Sequence, residues 1–252
     1  MTAAELIAPA KLTLSLRITG RRPDGYHLLE AEMVTLDLAD RLVVEPGEGL
    51  IVVDAGAGIT ESSGGPLRSV GVPAGGDNLV VRALDLAGRR ARVTLHKSIP
   101  AGAGLGGGSA DAAAILRWAG FDDERSAAQL GADVAFCLVG GRARVGGIGE
   151  IVEPLAFERR TFTLCTPPFG CSTAAVYRAW DRLGGPAGPA GNDLEAAALA
   201  VEPRLVDVRD ALAEATGQRP RLAGSGSTWF VEGAYPAPGR RVVQTTPSPP
   251  VA

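Results

Sequence analysis

Pro100-Ala101-Gly102-Ala103-Gly104-Leu105-Gly106-Gly107-Gly108-Ser109-Ala110-Asp111 is the stretch on which the rest of the chain turns. Five glycines fall within seven residues. An alternating apolar segment at 91–96 precedes them and an alanine-rich run at 109–119 follows, so the stretch reads as a loop between a strand and a helix. Glycine reaches backbone angles closed to other residues and lets a ligand approach the main chain. Successive free N–H groups, with a helix N-terminus at Ser109, form a cradle for an anion, phosphate above all. The Ser109 hydroxyl is placed to serve a phosphate or its Mg²⁺. Leu105 and the helix behind it argue for an ordered loop over a loose surface turn.

The same residues weigh against other phosphate loops. A Walker loop needs Lys after its last glycine, and here Ser109 follows Gly108 directly. Gly102, Gly104 and Gly107 match GxGxxG, but a dinucleotide fold also wants a strand ending in an acid about 20 residues on. That place holds Phe121-Asp-Asp-Glu-Arg-Ser126, which is no strand end. The HRD and DFG signatures of protein kinases are missing. The loop carries no lysine, so counter-charge must come from Lys11, Lys97 or Mg²⁺.

Working outward toward the N-terminus, residues 12–18, 26–38, 41–45 and 50–54 have the alternation of strands. Residues 55–78 are rich in Gly, Ser and Pro and read as an exposed loop. Residues 78–88 have helical spacing, with Asn78 as N-cap and Gly88 at the end. Toward the C-terminus the pattern predicts a short helix at 124–131 and strands at 142–145 and 161–165. Helices follow at 173–183, 193–200 and 203–215, the first two separated by a loop at 184–191. A second glycine patch, Ala223-Gly-Ser-Gly-Ser-Thr228, precedes a short strand at 229–233, and the proline-rich last twenty residues are expected to fray. Strands and helices mix without regular βαβ alternation, which favours an α+β fold over a doubly wound sheet. A weakly marked boundary near Glu153-Pro154 divides the chain into 1–153 and 154–252.

The chain has 252 residues, enough for one large domain or two modest ones, and a formal net charge of −3. That balance argues against nucleic acid and against a membrane surface as partner. Cys137, Cys165 and Cys171 form no CxxC and lie far in sequence from His27 and His96, so neither a zinc site nor a disulfide framework is expected, and a reducing cytoplasm fits. No signal peptide and no membrane helix are expected. Taken singly, His96 reads as a strand-face residue, Trp118, Trp180 and Trp229 as packing, Cys137 as a buried small residue, and Asp122-Asp123-Glu124 as a solvated helix start.

Several segments, kept in order along the chain, resemble the GHMP kinase superfamily. They are Ala8-Pro-Ala-Lys-Leu-Thr-Leu14, Asp77-Asn-Leu-Val-Val-Arg-Ala83, the glycine loop, Leu130-Gly-Ala-Asp-Val-Ala-Phe136, Gly147-Ile-Gly-Glu150 and Ala223-Gly-Ser-Gly-Ser227. Asp24-Gly-Tyr-His27, at its distance after the lysine, resembles one branch only. That branch phosphorylates the 2-hydroxyl of 4-diphosphocytidyl-2-C-methyl-D-erythritol with ATP, in the non-mevalonate route to isoprenoid precursors. The resemblance implies a two-domain α+β fold with the active site in the interdomain cleft, and a monomer or weak homodimer. It implies ATP held by Pro100–Ala110 with Mg²⁺ at Ser109, and Lys11 and Asp133 as the catalytic pair. Tyr26 and His27 would recognise cytosine, and Thr13 and Thr173 would lie on the substrate side, Thr173 doubling as a helix N-cap. Two departures stand out. Thr13 replaces the asparagine usual in the superfamily, and residues 120–129 are shorter than the helical insertion common there. Another GHMP kinase, for homoserine, mevalonate or galactose, and a catalytically inactive nucleotide-binding homologue are the alternatives.

Overall fold

The computed structural model describes residues 3–54, 77–188 and 190–248; most of the expected 55–78 loop lies outside them. Two strands dominate the N-terminal half, β1 (Ala4–Arg21) and β2 (His27–Glu45). They are followed by β3 (Gly49–Asp54), α1 (Leu79–Leu86), β4 (Arg92–Lys97), α2 (Gly107–Trp118), α3 (Glu124–Ala128), α4 (Ala132–Val139), β5 (Arg142–Gly147) and β6 (Ile151–Pro154). The rest of the chain forms β7 (Thr161–Cys165), α5 (Thr173–Arg182), α6 (Glu195–Val201), α7 (Leu205–Thr216), β8 (Arg221–Leu222), β9 (Trp229–Glu232) and β10 (Arg240–Gln244).

β2 is the spine of a six-stranded sheet ordered β3-β4-β2-β5-β6, with β1 paired to β2 off that path. Only the β3–β4 pair is parallel. The long β1–β2 ladder shifts register between Pro9 and Lys11 and again between Thr13 and Ser15. Proline has no amide to give the ladder, so a bulge is where it is tolerated, and a bulge re-aims the side chains beside it. Lys11 and Thr13 lie between those two shifts. A second sheet of four strands runs β10-β7-β9-β8.

Three apolar clusters hold these layers together. One lies between the first sheet and α1, α2 and α4, around Leu42, Val93, Leu95, Ile115 and Phe136. The second joins Leu12 and Leu36 of the β1–β2 ladder, and Leu105 of the glycine loop, to Phe162 and Phe230 of the second sheet. The third packs Val176, Leu205 and Leu212 of the late helices on Trp229, with Leu16 of β1. β1 contributes to all three clusters.

The α+β class stands, and α1, β4, α3 and α5 keep close to their sequence-read bounds. α2 begins at Gly107, two residues before the expected start, with Gly106 as its N-cap at φ 68°. The N-cap of α5 is Ser172, whose hydroxyl accepts from the Ala175 amide, so Thr173 does not hold that role. α4 and β6 were not foreseen. Nor was β10, which pairs with β7 in the segment expected to fray.

Candidate active site

The glycine loop runs from the end of β4 into α2, and its carbonyls, not its amides, face the protein. Gly102, Ala103 and Leu105 accept from Cys171, Thr228 and Lys11 amides at 3.1, 3.1 and 3.0 Å. Among the described residues, no amide from Gly102 to Ser109 donates to another group of the chain. Gly102, Gly104 and Gly106 hold φ values of 68°, 77° and 68°, a region open to glycine. A Cβ on Gly104 would run into the Ala223 carbonyl oxygen, and one on Gly106 would sit 2.7 Å from Lys11 Cγ. Leu105 is buried and pins the loop. The result is a run of outward amides ending on an α2 N-terminus that no side chain caps, which is what a polyphosphate needs.

Lys11 passes beneath this loop. Its buried ammonium lies 3.3 Å from Asp133 Oδ2 and donates to Thr13 Oγ1 at 3.1 Å. Asp133 stands in the first turn of α4, at the positive end of the helix. β1 and α4 thus bring together two residues that sequence reading linked only by motif. Lys97 is committed elsewhere. It bonds Asp40 of β2 and, at 2.7 Å, Asp111 of α2, and all three are buried. Its ammonium lies close to Gly107 of the loop but is shared between two buried carboxylates, whereas Lys11 meets the one carboxylate of Asp133. Burial pushes the Asp111 carboxyl up to about 7 against the pull of Lys97. For Lys97, Asp111 and Asp40 outweigh burial and hold the ammonium above its ordinary value.

Opposite the loop, the cleft is bounded by the turn after β1 and by α5. It encloses about 810 Å³ and is lined by Lys11, Thr13, Tyr26, His27, Asp133, Thr173 and the whole segment Pro100–Ser109. Ala110 lies just behind it, buried in the apolar core. Tyr26 is 60% exposed and lines the cleft. His27 Nε2 meets Asp181 Oδ1 at 2.8 Å, and its ring packs on Tyr177 at 5.0 Å between centroids. Thr173 and Ser225 share a hydroxyl–hydroxyl bond of 3.0 Å, which ties the start of α5 to the second glycine patch.

Tyr177, Asp181 and Ser225 were not singled out in the sequence. The signal for the first two was the α5 period: Tyr177 and Asp181 are four apart and share one face. Tyr177 is half-buried near Asp133, and burial then that carboxylate push its hydroxyl up to about 12. Three readings of single residues outside the site agree with the structure. Asp123 caps α3, accepting from the Arg125 and Ser126 amides at 3.1 Å. Cys137 is buried, which pushes its thiol up to about 12. Trp229 is fully buried.

Among the described residues no group of three or more His, Cys, Asp or Glu could hold a metal ion, and no helix is long and apolar enough to cross a membrane. A Mg²⁺ that arrives with a nucleotide takes most of its oxygens from phosphate and water. A single protein hydroxyl such as Ser109, in the first turn of α2 and lining the cleft, fits that requirement.

The GHMP kinases N terminal domain family matches residues 78–141, the span from the α1 N-cap through the glycine loop to the end of α4. The 4-diphosphocytidyl-2-C-methyl-D-erythritol kinase of Paracoccus denitrificans is 43% identical over 88% of this chain and 84% of its own length. The kinase of the same name from Pelotomaculum thermopropionicum is 38% identical over 89% and 87%. A crystal structure of 4-(cytidine 5'-diphospho)-2C-methyl-D-erythritol kinase superposes with a TM-score of 0.72 at 33% identity, covering 96% of this chain and 99% of that one. Leishmania major mevalonate kinase shares the fold at a TM-score of 0.60 and 14% identity. The chain belongs to the GHMP kinases and, within them, to the 4-diphosphocytidyl-2-C-methyl-D-erythritol kinase family.

Proposed function

We propose that this enzyme transfers the γ-phosphoryl group of ATP to the 2-hydroxyl of 4-diphosphocytidyl-2-C-methyl-D-erythritol, in the cytoplasm, supplying the non-mevalonate isoprenoid route. The observation that carries the reading is the Lys11–Asp133 pair, 3.3 Å apart, set between a run of free loop amides and an aromatic wall in one cleft. Residues 1–153 carry the nucleotide and 154–252 close the far side of the cleft. The enzyme works as a monomer or weak homodimer on small molecules, not on nucleic acid or membrane.

The amides of Gly102 to Ser109 hold the triphosphate from the side away from the acceptor, and the α2 dipole adds attraction for its charge. Ser109 would help hold a Mg²⁺ that comes with the nucleotide, and that ion would neutralise phosphate charge. Asp133 accepts the proton of the substrate hydroxyl as the new O–P bond forms and the bond to the ADP oxygen breaks. Lys11, 3.3 Å from Asp133, faces the charge on the transferring group. Thr13, accepting from Lys11, fixes where the ammonium points. Tyr26 and Tyr177 offer ring faces to the cytosine, His27 a polar edge, and Thr173 a hydroxyl on the substrate side.

A coupled ADP-release assay across the cytidyl substrate, homoserine and mevalonate tests this. Turnover is expected on the cytidyl substrate far above the others. Faster turnover on homoserine or mevalonate would refute the assignment.

A further inference from the structure

His27 is held on three sides by one helix. Trp180 and Asp181 of α5 stand three and four residues after Tyr177, which makes each a neighbour of Tyr177 on the helix surface. Tyr177 lies under the imidazole at 5.0 Å and 31°, and Trp180 meets it edge-on at 5.5 Å and 88°. Asp181 takes the ring's Nε2 at 2.8 Å and points its other oxygen toward Arg21 Nη1 at 3.7 Å. Arg21 and His27 flank the turn between β1 and β2, so one carboxylate ties both ends of that turn to α5. The His27 side chain is only 10% exposed, and what exposure remains lies in the cleft that it lines.

The hydrogen bond fixes more than position. An ionised carboxylate only accepts, so Nε2 must carry the hydrogen. In the neutral imidazole Nδ1 is then bare and can only accept. Among the described residues Nδ1 has no partner, and it is the ring's one polar atom left for a ligand. A bare ring nitrogen suits a base that presents an exocyclic amino group. Against a base that presents a carbonyl at the same place, two lone pairs would face each other.

We propose that Asp181 is a positioning residue for substrate choice: by fixing the Nε2–H tautomer of His27, it makes that residue an acceptor that selects a 4-amino pyrimidine, cytosine, over a 4-oxo pyrimidine, uracil. The inference rests on the cytidyl reading of the substrate and adds how the base is distinguished. Arg21 keeps Asp181 turned toward the ring, and Tyr177 and Trp180 hold the ring's plane.

The test uses the whole chain and the substitutions Asp181→Asn and Asp181→Glu. Because the protein has only two histidines, His27 and His96, long-range ¹H–¹⁵N spectra assign the His27 ring with one His27→Gln control. Wild type is expected to show the Nε2–H tautomer, and Asp181→Asn, which can donate to Nε2, to lose it. Kinetics are measured with the cytidyl substrate and its uridyl counterpart. Asp181→Asn is expected to raise the cytidyl KM with little change in kcat or in the ATP KM. Its preference for cytidyl over uridyl should fall by about tenfold or more, the scale of a mismatched buried hydrogen bond. Asp181→Glu is expected to restore much of the preference. A wild-type Nδ1–H ring, or equal losses on both substrates, would overturn the proposal. Should wild type phosphorylate neither substrate, the kinase reading falls by itself. Base choice is then read by titrating CMP against UMP: tighter CMP binding that Asp181→Asn erases supports the proposal, and equal affinities in wild type refute it.

Discussion

Lys11 is almost entirely out of water while Asp133 beside it keeps a third of its side chain exposed. That asymmetry suits a pair in which the ammonium is fixed and the carboxylate must meet a substrate. Replacing Asp133 with Ala removes the proton acceptor, and loss of a general base costs about 10²–10⁴-fold in rate. Asp133→Ala is therefore expected to lose turnover on that scale in steady-state assays while ATP binding, read by calorimetry, stays intact. A parallel loss of ATP affinity would assign Asp133 to the nucleotide instead. At Tyr26, where the ring stands 60% exposed, stacking on a base is worth about 1–3 kcal/mol. Tyr26→Ala should raise the substrate KM and leave the ATP KM in place, and equal rises in both would count against stacking. Motifs pointed to Lys11, Asp133, Tyr26 and His27; periodicity could not, because only the folded meeting of β1, α4 and α5 makes them neighbours. Asp181 went unread for the same reason: on its own helix it is an ordinary surface acid, and its partner His27 lies 154 residues away.

Among elements, the glycine loop allows a sharp comparison. Gly106 and Gly88 both hold positive φ, 68° and 60°, and Ala at such an angle costs about 1–2 kcal/mol. They differ in what surrounds them. A Cβ on Gly106 meets Lys11 at 2.7 Å, whereas one on Gly88 meets nothing within 4 Å. Both Ala variants are expected to lower the melting temperature, but only Gly106→Ala should raise the ATP KM and depress kcat, by pushing Lys11 aside. Gly106→Ala kinetics that match wild type would mean the loop tolerates the added carbon. Strands with strict alternation and helices with caps were legible, α1 almost to the residue. α4 was not, because Val134, Ala135, Phe136 and Cys137 are buried in succession and leave no 3.6-residue period to find. β10 was hidden by the prolines around it: only its ladder with β7 makes those five residues a strand.

On the scale of the molecule, Asp40, Lys97 and Asp111 bind the first sheet to α2 beneath the nucleotide loop, and Asp40 also accepts from the Ser98 and Ile99 amides where that loop departs. Two buried carboxylates share one ammonium, and burial pushes Asp111 up to about 7. The folded protein therefore keeps a proton there that the unfolded chain releases from about pH 4 upward. With more protons bound in the native state across that window, the stability due to this group falls as pH rises from about 4 to 7, then levels off. Asp111→Asn removes the titration while keeping the shape. Its melting temperature, measured from pH 5 to 8, should gain on wild type up to about pH 7, the value to which the carboxyl is raised. Curves that stay parallel would place the Asp111 proton elsewhere.

The kinase reading itself is tested most directly by ³¹P NMR of the purified protein with MgATP and 4-diphosphocytidyl-2-C-methyl-D-erythritol. A new phosphomonoester on the 2-hydroxyl, formed in step with ADP, is the expected result. ADP that accumulates with inorganic phosphate alone, or a phosphate on another hydroxyl, would contradict it.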